Sequence, residues 1–347
     1  MATMKALVYA ATGKPTLEDR PKPTILKPTD AIVKMIKTTI CGTDLHIFKG
    51  DVATCDTGRI IGHEGVAVVE QVGDKVSHFK PGDKVIVSCI TSCTNCTNCR
   101  TGMPSHCTDG GWTLGNTIDG TQAEYTRVPH ADGSLHRVAK SASDDAQLML
   151  SDIVPAGYEC GVLQGKVKLG STVAIVGSGP VGLSALITSQ LFSPLQVIMI
   201  DLNEKRLSTA RSLGATHTVV SGSNAVEQVM KLTAGRGVDT VIEAVGIPAT
   251  FELCQKLVAV GGTIANLGVH GAKVDLHMEK LWDRNITITT RLVSTTSTSM
   301  LIKLVESGKI QPEKVLTHNF AFGDIEKAYS IFGAAETHNC LKVVINI

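Results

Sequence analysis

The sequence lacks a long apolar run and lacks an excess of charge of either sign. Nowhere in its 347 residues does an apolar stretch reach the length of about 18 residues that a membrane-spanning helix needs. Its 33 basic and 32 acidic residues give a formal net charge of +1. This balance gives no electrostatic basis for binding nucleic acid or an anionic membrane. We therefore expect neither kind of partner.

The first residues also lack the pattern of a secretory signal. The segment MATMKALVYAATGKPTLEDRP has no charged region followed by an apolar run and a small-residue cleavage site. The ten cysteines of the chain are therefore predicted to be metal ligands and buried thiols rather than partners in disulfide bonds. Internal repeats and low-complexity tracts are absent as well. Because the signal pattern is missing and the cysteines are not predicted to form disulfides, we expect a cytoplasmic protein.

The sequence pattern changes near residue 153, which indicates two domains. The length of the chain also favours two domains. The first ~150 residues contain short β-branched runs such as DKVIVS, separated by turns such as PGD, which is typical of a β domain. From about residue 153, strands alternate with helices, which predicts βαβ units and a parallel sheet. The expected fold class is α/β, with a largely β domain over 1–152 and a parallel-sheet domain over 153–295. The remaining segment, 296–347, contains two helical stretches and a final strand, LKVVINI, and could either extend the parallel sheet or return to the first domain.

Four cysteines fall within fifteen residues, as C-x2-C-x2-C-x7-C, at Cys93, Cys96, Cys99 and Cys107. Thiolates at this spacing can close a tetrahedron around Zn²⁺. The main alternative is an iron–sulfur cluster, but the bacterial ferredoxin run continues with three residues and then Cys-Pro. Here seven residues intervene and Thr108 follows, so zinc is favoured. The surrounding lobe, about 89–112, is rich in polar residues, and a metal would hold it in shape.

A glycine fingerprint, Gly177-x-Gly179-x-x-Gly182, follows an apolar strand and opens a helix. In that context it predicts a dinucleotide site, where the pyrophosphate meets the amino end of the helix. Asp201 ends the next strand, where an acidic residue binds the adenosine ribose hydroxyls and repels a 2′-phosphate. The cofactor is therefore expected to be NAD rather than NADP. The alternative for Asp201 is a strand-end or capping residue, and Arg206 on the following helix could instead accommodate a phosphate.

The first domain carries a second set of candidate metal ligands. Cys41 lies in CGTDLH and His63 lies in GHEG. Either residue alone would be interpreted as an ordinary buried side chain and not as a metal ligand. Beside a dinucleotide fingerprint they suggest a catalytic zinc, which takes three protein ligands and leaves one position for water or substrate.

Together these features, in this order and at these spacings, resemble the zinc-dependent medium-chain alcohol dehydrogenases over essentially the whole length. The resemblance implies a GroES-like catalytic domain, a Rossmann-type NAD domain, and a 296–347 segment that completes the sheet and returns to the catalytic domain. It implies two Zn²⁺ per chain, one catalytic and one structural. It places the third catalytic ligand near the domain junction, where this chain has Asp152. Cys160, eight residues later, is the alternative ligand.

The resemblance also implies roles for other residues. Glu64 would exchange on and off the zinc, Thr43 would take the alcohol proton, and His46 could pass it toward solvent. A turn hydrogen bond for Thr43 and a solvated position for His46 are the alternatives. The segment GGWTLGNTIDGTQAEY resembles secondary alcohol dehydrogenases, in which the tryptophan lines the substrate pocket. Trp112 would do so here, or would be a structural aromatic beside the zinc lobe. Further residues are assigned to the cofactor site: Val181 behind the nicotinamide, Arg206 near the ribose, and Val269.

The expected activity is reversible hydride transfer between NAD(H) and an alcohol, with an aldehyde or ketone as product. Polyol, threonine and formaldehyde dehydrogenases of the same family are alternatives, and a non-catalytic NAD-binding structural protein is the alternative from another class. A zinc-free quinone reductase is disfavoured because it would not need Cys41, His63 and Asp152. Ala67 stands where the family usually has a glycine. Family members oligomerise, so a homo-oligomer is expected, with a tetramer favoured over a dimer.

Overall fold

The chain forms two compact units in the computed structural model, which describes residues 2–10 and 14–347. One unit joins the segments Met1–Asp152 and Ser294–Ile347, and the other is the continuous segment Ile153–Val293. The second unit is therefore inserted, in sequence, between two parts of the first.

The described residues contain fifteen strands: β1 (Thr3–Tyr9), β2 (Pro15–Pro21), β3 (Ala31–Thr38), β4 (Gly65–Val72), β5 (Lys84–Val87), β6 (Tyr125–Val128), β7 (Leu135–Arg137), β8 (Thr172–Val176), β9 (Gln196–Asp201), β10 (His217–Val220), β11 (Val238–Glu243), β12 (Val258–Asn266), β13 (Thr287–Thr290), β14 (Leu316–Ala321) and β15 (Lys342–Asn346).

The same part of the chain contains thirteen α-helices: α1 (Gly42–Phe48), α2 (Thr97–Arg100), α3 (Ala131–Ser134), α4 (Asp144–Leu148), α5 (Ile153–Ala156), α6 (Pro180–Ser189), α7 (Glu204–Ser212), α8 (Ala225–Leu232), α9 (Pro248–Leu257), α10 (Met278–Leu281), α11 (Thr298–Glu306), α12 (Ile325–Gly333) and α13 (Ala335–His338). A π-helical segment follows α5, at Gly157–Leu163. Short 3₁₀ segments complete the set: Pro104–His106, Met149–Ser151, Gln190–Phe192, Pro312–Val315 and Phe322–Asp324.

The continuous unit is built on a parallel sheet, as predicted. Its described strands run in the order β10-β9-β8-β11-β12-β13, and every pairing is parallel. All five residues of β8 are buried, as expected for a strand that is covered on both faces. Because Val176 pairs with Ile200, the turn after β8 and the carboxyl end of β9 lie side by side. In a doubly wound sheet this edge is where ligands bind.

The first unit is largely β, and its main sheet combines distant parts of the chain. Its described strands run in the order β14-β15-β3-β4-β5-β7, and β6 also pairs with β3. The antiparallel partner of β3 on one side is β15, with Ile345 opposite Thr38. This pairing brings residues from the last strand beside the loop that follows β3, where Cys41 lies. No helix in the described ranges is both long enough and apolar enough to span a bilayer.

Candidate metal centres and cofactor site

The four lobe cysteines meet at one point. The sulfurs of Cys93, Cys96, Cys99 and Cys107 all lie within 4.8 Å of one another. Individual separations are 3.5 Å for Cys96 to Cys99 and 4.0 Å for Cys93 to Cys99. Zn–S bonds of about 2.3 Å in a tetrahedron place sulfurs roughly 3.8 Å apart. The cluster therefore has the size that a Zn²⁺ ion requires.

Backbone amides surround these sulfurs. The N–H of Cys93 donates to the Cys107 sulfur and the N–H of Cys96 donates to the Cys93 sulfur, both at 3.3 Å. Backbone N–H groups of Cys99 and Thr108 lower the pKa of the Cys96 thiol to about 5. These amides thus favour the metal-binding thiolate form of Cys96, whereas burial raises the pKa of the Cys107 thiol to about 12.

A second donor group lies in the same unit. One ligand atom from each of Cys41, His63, Glu64 and Asp152 lies within 4.8 Å of the other three. Asp152 Oδ2 is 3.5 Å from His63 Nε2 and 3.9 Å from Cys41 Sγ. The alternative ligand Cys160 lies in the other unit, on the π-helical segment. One sulfur, one imidazole and two carboxylates form a set of the kind found in catalytic zinc sites.

Local structure explains how Cys41 reaches this position. It is the extended residue immediately before α1, and the carboxylate of Asp44, in the first turn, accepts a hydrogen bond from the Cys41 N–H at 2.9 Å. This cap fixes where the helix begins.

His63 and Glu64 precede β4 in an extended loop that approaches a neighbouring segment closely. Gly62 has φ +89°, and a Cβ there would lie 2.5 Å from Gln122 Cγ. Only glycine meets both demands. The hydroxyls of Thr38 and Thr121 each donate to the Glu64 carbonyl at 2.9 Å. The loop holding two of the donors is therefore anchored on both sides.

The charge around the second group favours a cation. Burial alone lowers the pKa of His63, but the hydrogen bond to Asp152 and the nearby Cys41 reverse that effect and hold the pKa well above its usual value. Glu64 is 1 % exposed, and its Oε2 has no hydrogen-bond partner within the described residues. An anionic field and a buried, unmatched carboxylate oxygen are the features expected where a divalent cation binds.

Several residues that sequence reasoning missed support this group. Asp44 Oδ1 lies 3.7 Å from His63 Nδ1, the position of a carboxylate that orients a ligating histidine. Gln122 Nε2 donates to Asp44 Oδ2, and the Tyr329 hydroxyl donates to Gln122 Oε1. The sequence could have indicated Asp44 as a supporting residue, because it lies in CGTDLH, three residues after Cys41. Gln122 and Tyr329 gave no local signal.

Lys342 was missed as well, although it contacts Glu64 directly. Its ammonium donates to Glu64 Oε1 at 2.6 Å and to the Ile40 carbonyl at 3.0 Å. Burial tends to lower the pKa of Lys342, but Glu64 and Cys41 raise it above its ordinary value. The lysine is therefore charged and offsets part of the anionic field.

The residues assigned to proton transfer and substrate lie around the same group. Thr43 Oγ1 is 3.6 Å from the Cys41 sulfur. His46 lies on the last turn of α1, partly exposed, and its Nδ1 is 2.9 Å from Asp51 Oδ2. The ring of Trp112 packs edge-on against His63, with ring centroids 6.2 Å apart.

The glycine fingerprint forms the turn between β8 and α6. Gly177 has φ +104°, and a Cβ on Gly182 would lie 1.9 Å from the Gly177 carbonyl oxygen. A Cβ on Gly179 would meet nothing within 4 Å, so this glycine faces open space. Asp201 is tied to the turn, because Oδ2 accepts from the Ser178 N–H and Oδ1 accepts from the Asn203 N–H. The carboxylate is thus fixed at the edge where a dinucleotide would bind.

The structure gives only the position and the exposure of the other residues that were assigned to the cofactor site. Val181 lies in the first turn of α6 and is half-buried. Arg206 is half-buried on α7. Val269 is 67 % exposed, and its carbonyl oxygen lies 2.2 Å from where a Cβ on Gly246 would be. These residues lie on the same unit as the fingerprint, and their roles remain predictions.

The fold and the two donor groups together define a zinc-binding dehydrogenase, and comparisons with known proteins support this. Residues 27–140 match the model of the alcohol dehydrogenase GroES-like domain, and residues 180–307 match that of the zinc-binding dehydrogenases. An alcohol dehydrogenase of Cupriavidus necator is 35 % identical over 367 aligned residues, covering 99 % of each chain. An NADP-dependent isopropanol dehydrogenase of Thermoanaerobacter brockii is 33 % identical, covering 94 % of this chain and 96 % of that one. The solved apo structure of zinc-dependent alcohol dehydrogenase 2 from Streptococcus pneumonia superposes with a TM-score of 0.95 at 55 % identity, covering 99 % and 98 % of the two chains.

The chain therefore belongs to the zinc-dependent medium-chain alcohol dehydrogenase family. It is an oxidoreductase of the alcohol dehydrogenase class with a small-molecule substrate. The predicted family and the predicted fold class, a GroES-like unit with a Rossmann-type parallel-sheet unit, are both confirmed.

Proposed function

We propose that this protein is an NAD-dependent alcohol dehydrogenase that interconverts primary or secondary alcohols with aldehydes or ketones. The observation that carries the proposal is the convergence of Cys41, His63 and Asp152, with Glu64 beside them. These residues would hold a catalytic zinc, and the four lobe cysteines would hold a structural one. A tetrahedral set of four thiolates leaves no open position, so the chemistry belongs to the Cys41 group.

The proposed reaction uses the chain's residues for binding and proton movement. A zinc ion at the Cys41 group would act as a Lewis acid and lower the pKa of a substrate hydroxyl. Thr43 would receive the hydroxyl proton, and His46 would release it to solvent. The Asp51 carboxylate can only accept, so His46 donates through Nδ1, and Nε2 is left to take up the proton. Trp112, packed against His63, would form one wall of the alcohol pocket.

NAD is proposed as the hydride acceptor because of Asp201. Its carboxylate is held by two backbone N–H groups at the end of β9, where it would bind the ribose hydroxyls and repel a 2′-phosphate. The Thermoanaerobacter brockii relative uses NADP, so the preference has to be measured for this chain. We also propose that the protein is a cytoplasmic homo-oligomer, with a tetramer favoured.

A substrate panel of primary alcohols, secondary alcohols and polyols, assayed with NAD and with NADP, tests the activity. Zinc analysis should give two ions per chain, one for each donor group. Cys41→Ser should lose one zinc and reduce activity at least about 1,000-fold, since metal polarisation supplies several kcal/mol. Cys254→Ser, at a buried cysteine in the core of the parallel-sheet unit, is the matched control. Full activity in Cys41→Ser would contradict the proposed catalytic site.

A further inference from the structure

Cys89 contacts the Asp152 carboxylate and the backbone of the preceding residue, Ser151, without belonging to the donor group. It follows β5, is 2 % exposed, and places its sulfur 3.3 Å from Asp152 Oδ1. Its backbone N–H donates to the carbonyl of Ser151, the residue before Asp152, at 3.0 Å. The chain around Asp152 and the carboxylate of Asp152 are therefore both attached to the same buried residue.

The chemistry of the thiol and the carboxylate determines which of them donates the hydrogen bond. An ionised carboxylate can only accept hydrogen bonds, whereas a thiol can donate one. The Cys89 S–H therefore donates to Oδ1. The other oxygen, Oδ2, is the one that faces His63 Nε2 and Cys41 Sγ. The two oxygens of Asp152 thus have separate surroundings, one toward the thiol and one toward the donor group.

We propose that Cys89 is a positioning residue that makes Asp152 a one-oxygen ligand, an inference that rests on the proposed catalytic zinc. With Oδ1 engaged by the thiol, Asp152 would offer Oδ2 alone to a metal ion. A second carboxylate oxygen on the ion would occupy the position that water or substrate needs. Groups that hold a ligand in this way typically affect metal affinity by about 10- to 100-fold.

The role differs from ligation and from simple packing. Cys89 is not among the four residues whose donor atoms converge. A packing role would depend on side-chain volume, whereas the proposed role depends on a donor hydrogen. Cys89→Val keeps the volume and removes the donor, and Cys89→Ser keeps a donor in a smaller side chain. The two variants therefore separate the explanations.

The experiment follows zinc release into a chromogenic chelator from the full-length, zinc-loaded protein. The phase that belongs to the catalytic site is identified by its absence in Cys41→Ser. We expect Cys89→Val to release this zinc about 10- to 100-fold faster than wild type, and Cys89→Ser to stay within about threefold of it. Cys254→Ala, at a buried cysteine of the other unit, should match wild type.

A second measurement does not need Cys89→Val to fold. The Raman S–H band of Cys89, assigned from the difference between wild type and Cys89→Ser, should lie at lower wavenumber than that of Cys254. A higher or equal wavenumber overturns the proposal, as does equal release from Cys89→Val and wild type, or equal acceleration by valine and serine. Wild-type protein that carries only one zinc would instead count against the proposed function, while the Raman band still reports on the Cys89 contact.

Discussion

Lys342 Nζ lies 2.6 Å from Glu64 Oε1, and each side chain is only 1 % exposed. The pair links the first residue of β15 to the loop before β4, across 278 positions of sequence. A buried ion pair of this kind need not stabilise the fold relative to an apolar pair, but losing one partner leaves an uncompensated charge.

Lys342→Met should therefore lower the free energy of unfolding by about 3–5 kcal/mol, measured by urea denaturation of the zinc-loaded protein. Lys5→Met removes a surface partner, since Lys5 and Asp19 are both more than half exposed, and should cost less than about 1 kcal/mol. Adding Glu64→Gln to Lys342→Met should restore part of the loss. Equal effects from the two lysine variants would show that Lys342 does not neutralise Glu64.

Asp201→Gly should shift cofactor use toward NADP. The change removes the carboxylate that would repel a 2′-phosphate, so the ratio of kcat/KM for NADP to that for NAD should rise about tenfold or more. Asp239→Gly is the matched control, because Asp239 also accepts from a backbone N–H, that of Thr172, at the start of β8 rather than its end. An unchanged ratio in Asp201→Gly would remove Asp201 from the account of cofactor choice.

Cys96→Ser should unfold the zinc lobe and leave the Cys41 group loaded. No residue from 93 to 103 is buried, so a bound zinc would supply the stability that an apolar core would otherwise give this segment. The variant should hold one zinc instead of two and become sensitive to limited proteolysis between residues 93 and 107. Loss of both ions, or protection of this segment, would contradict the separation of the two sites.

His136 should make the protein less stable in mild acid. Burial lowers the pKa of His136 to about 4, from 6.5, and its Nε2 has no hydrogen-bond partner among the residues described. The unfolded chain therefore binds the proton more tightly than the folded one. Stability should fall as the pH drops from about 6.5 toward 4, by at most about 3 kcal/mol from this residue.

The His136→Phe variant tests this prediction. Its free energy of unfolding, measured by denaturation at several pH values, should fall less steeply than that of wild type over the same pH range. His78→Gln, which replaces an imidazole that is 72 % exposed, should leave the profile unchanged. Identical slopes in wild type and His136→Phe would assign the acid sensitivity to other groups.

Features encoded by neighbouring residues could be predicted from the sequence. The cysteine tetrad and the glycine fingerprint each lie within a short segment, and their spacing alone limits what they can bind. The order of strands and helices after residue 153 was sufficient to predict the parallel sheet, because a chain in which strands alternate with helices has few other possible folds.

Contacts made by folding distant segments together could not be predicted in the same way. Lys342 lies in an apolar strand, where a lysine is normally expected to face solvent. It is buried because Glu64 neutralises it, and nothing near either residue reveals that partner. Likewise Cys89 is one of ten cysteines, and only the folded chain places its sulfur beside Asp152.

The interruption of the first unit by the second bears on how the chain is made. Glu64 leaves the ribosome long before Lys342, and the whole parallel-sheet unit, Ile153–Val293, is synthesised between them. That unit is continuous and can complete its core while translation proceeds, as domains generally do. The first unit cannot bury the Glu64 carboxylate beside its neutralising lysine until β15 has been synthesised, so the unit that starts later in the sequence can be the first to complete its fold.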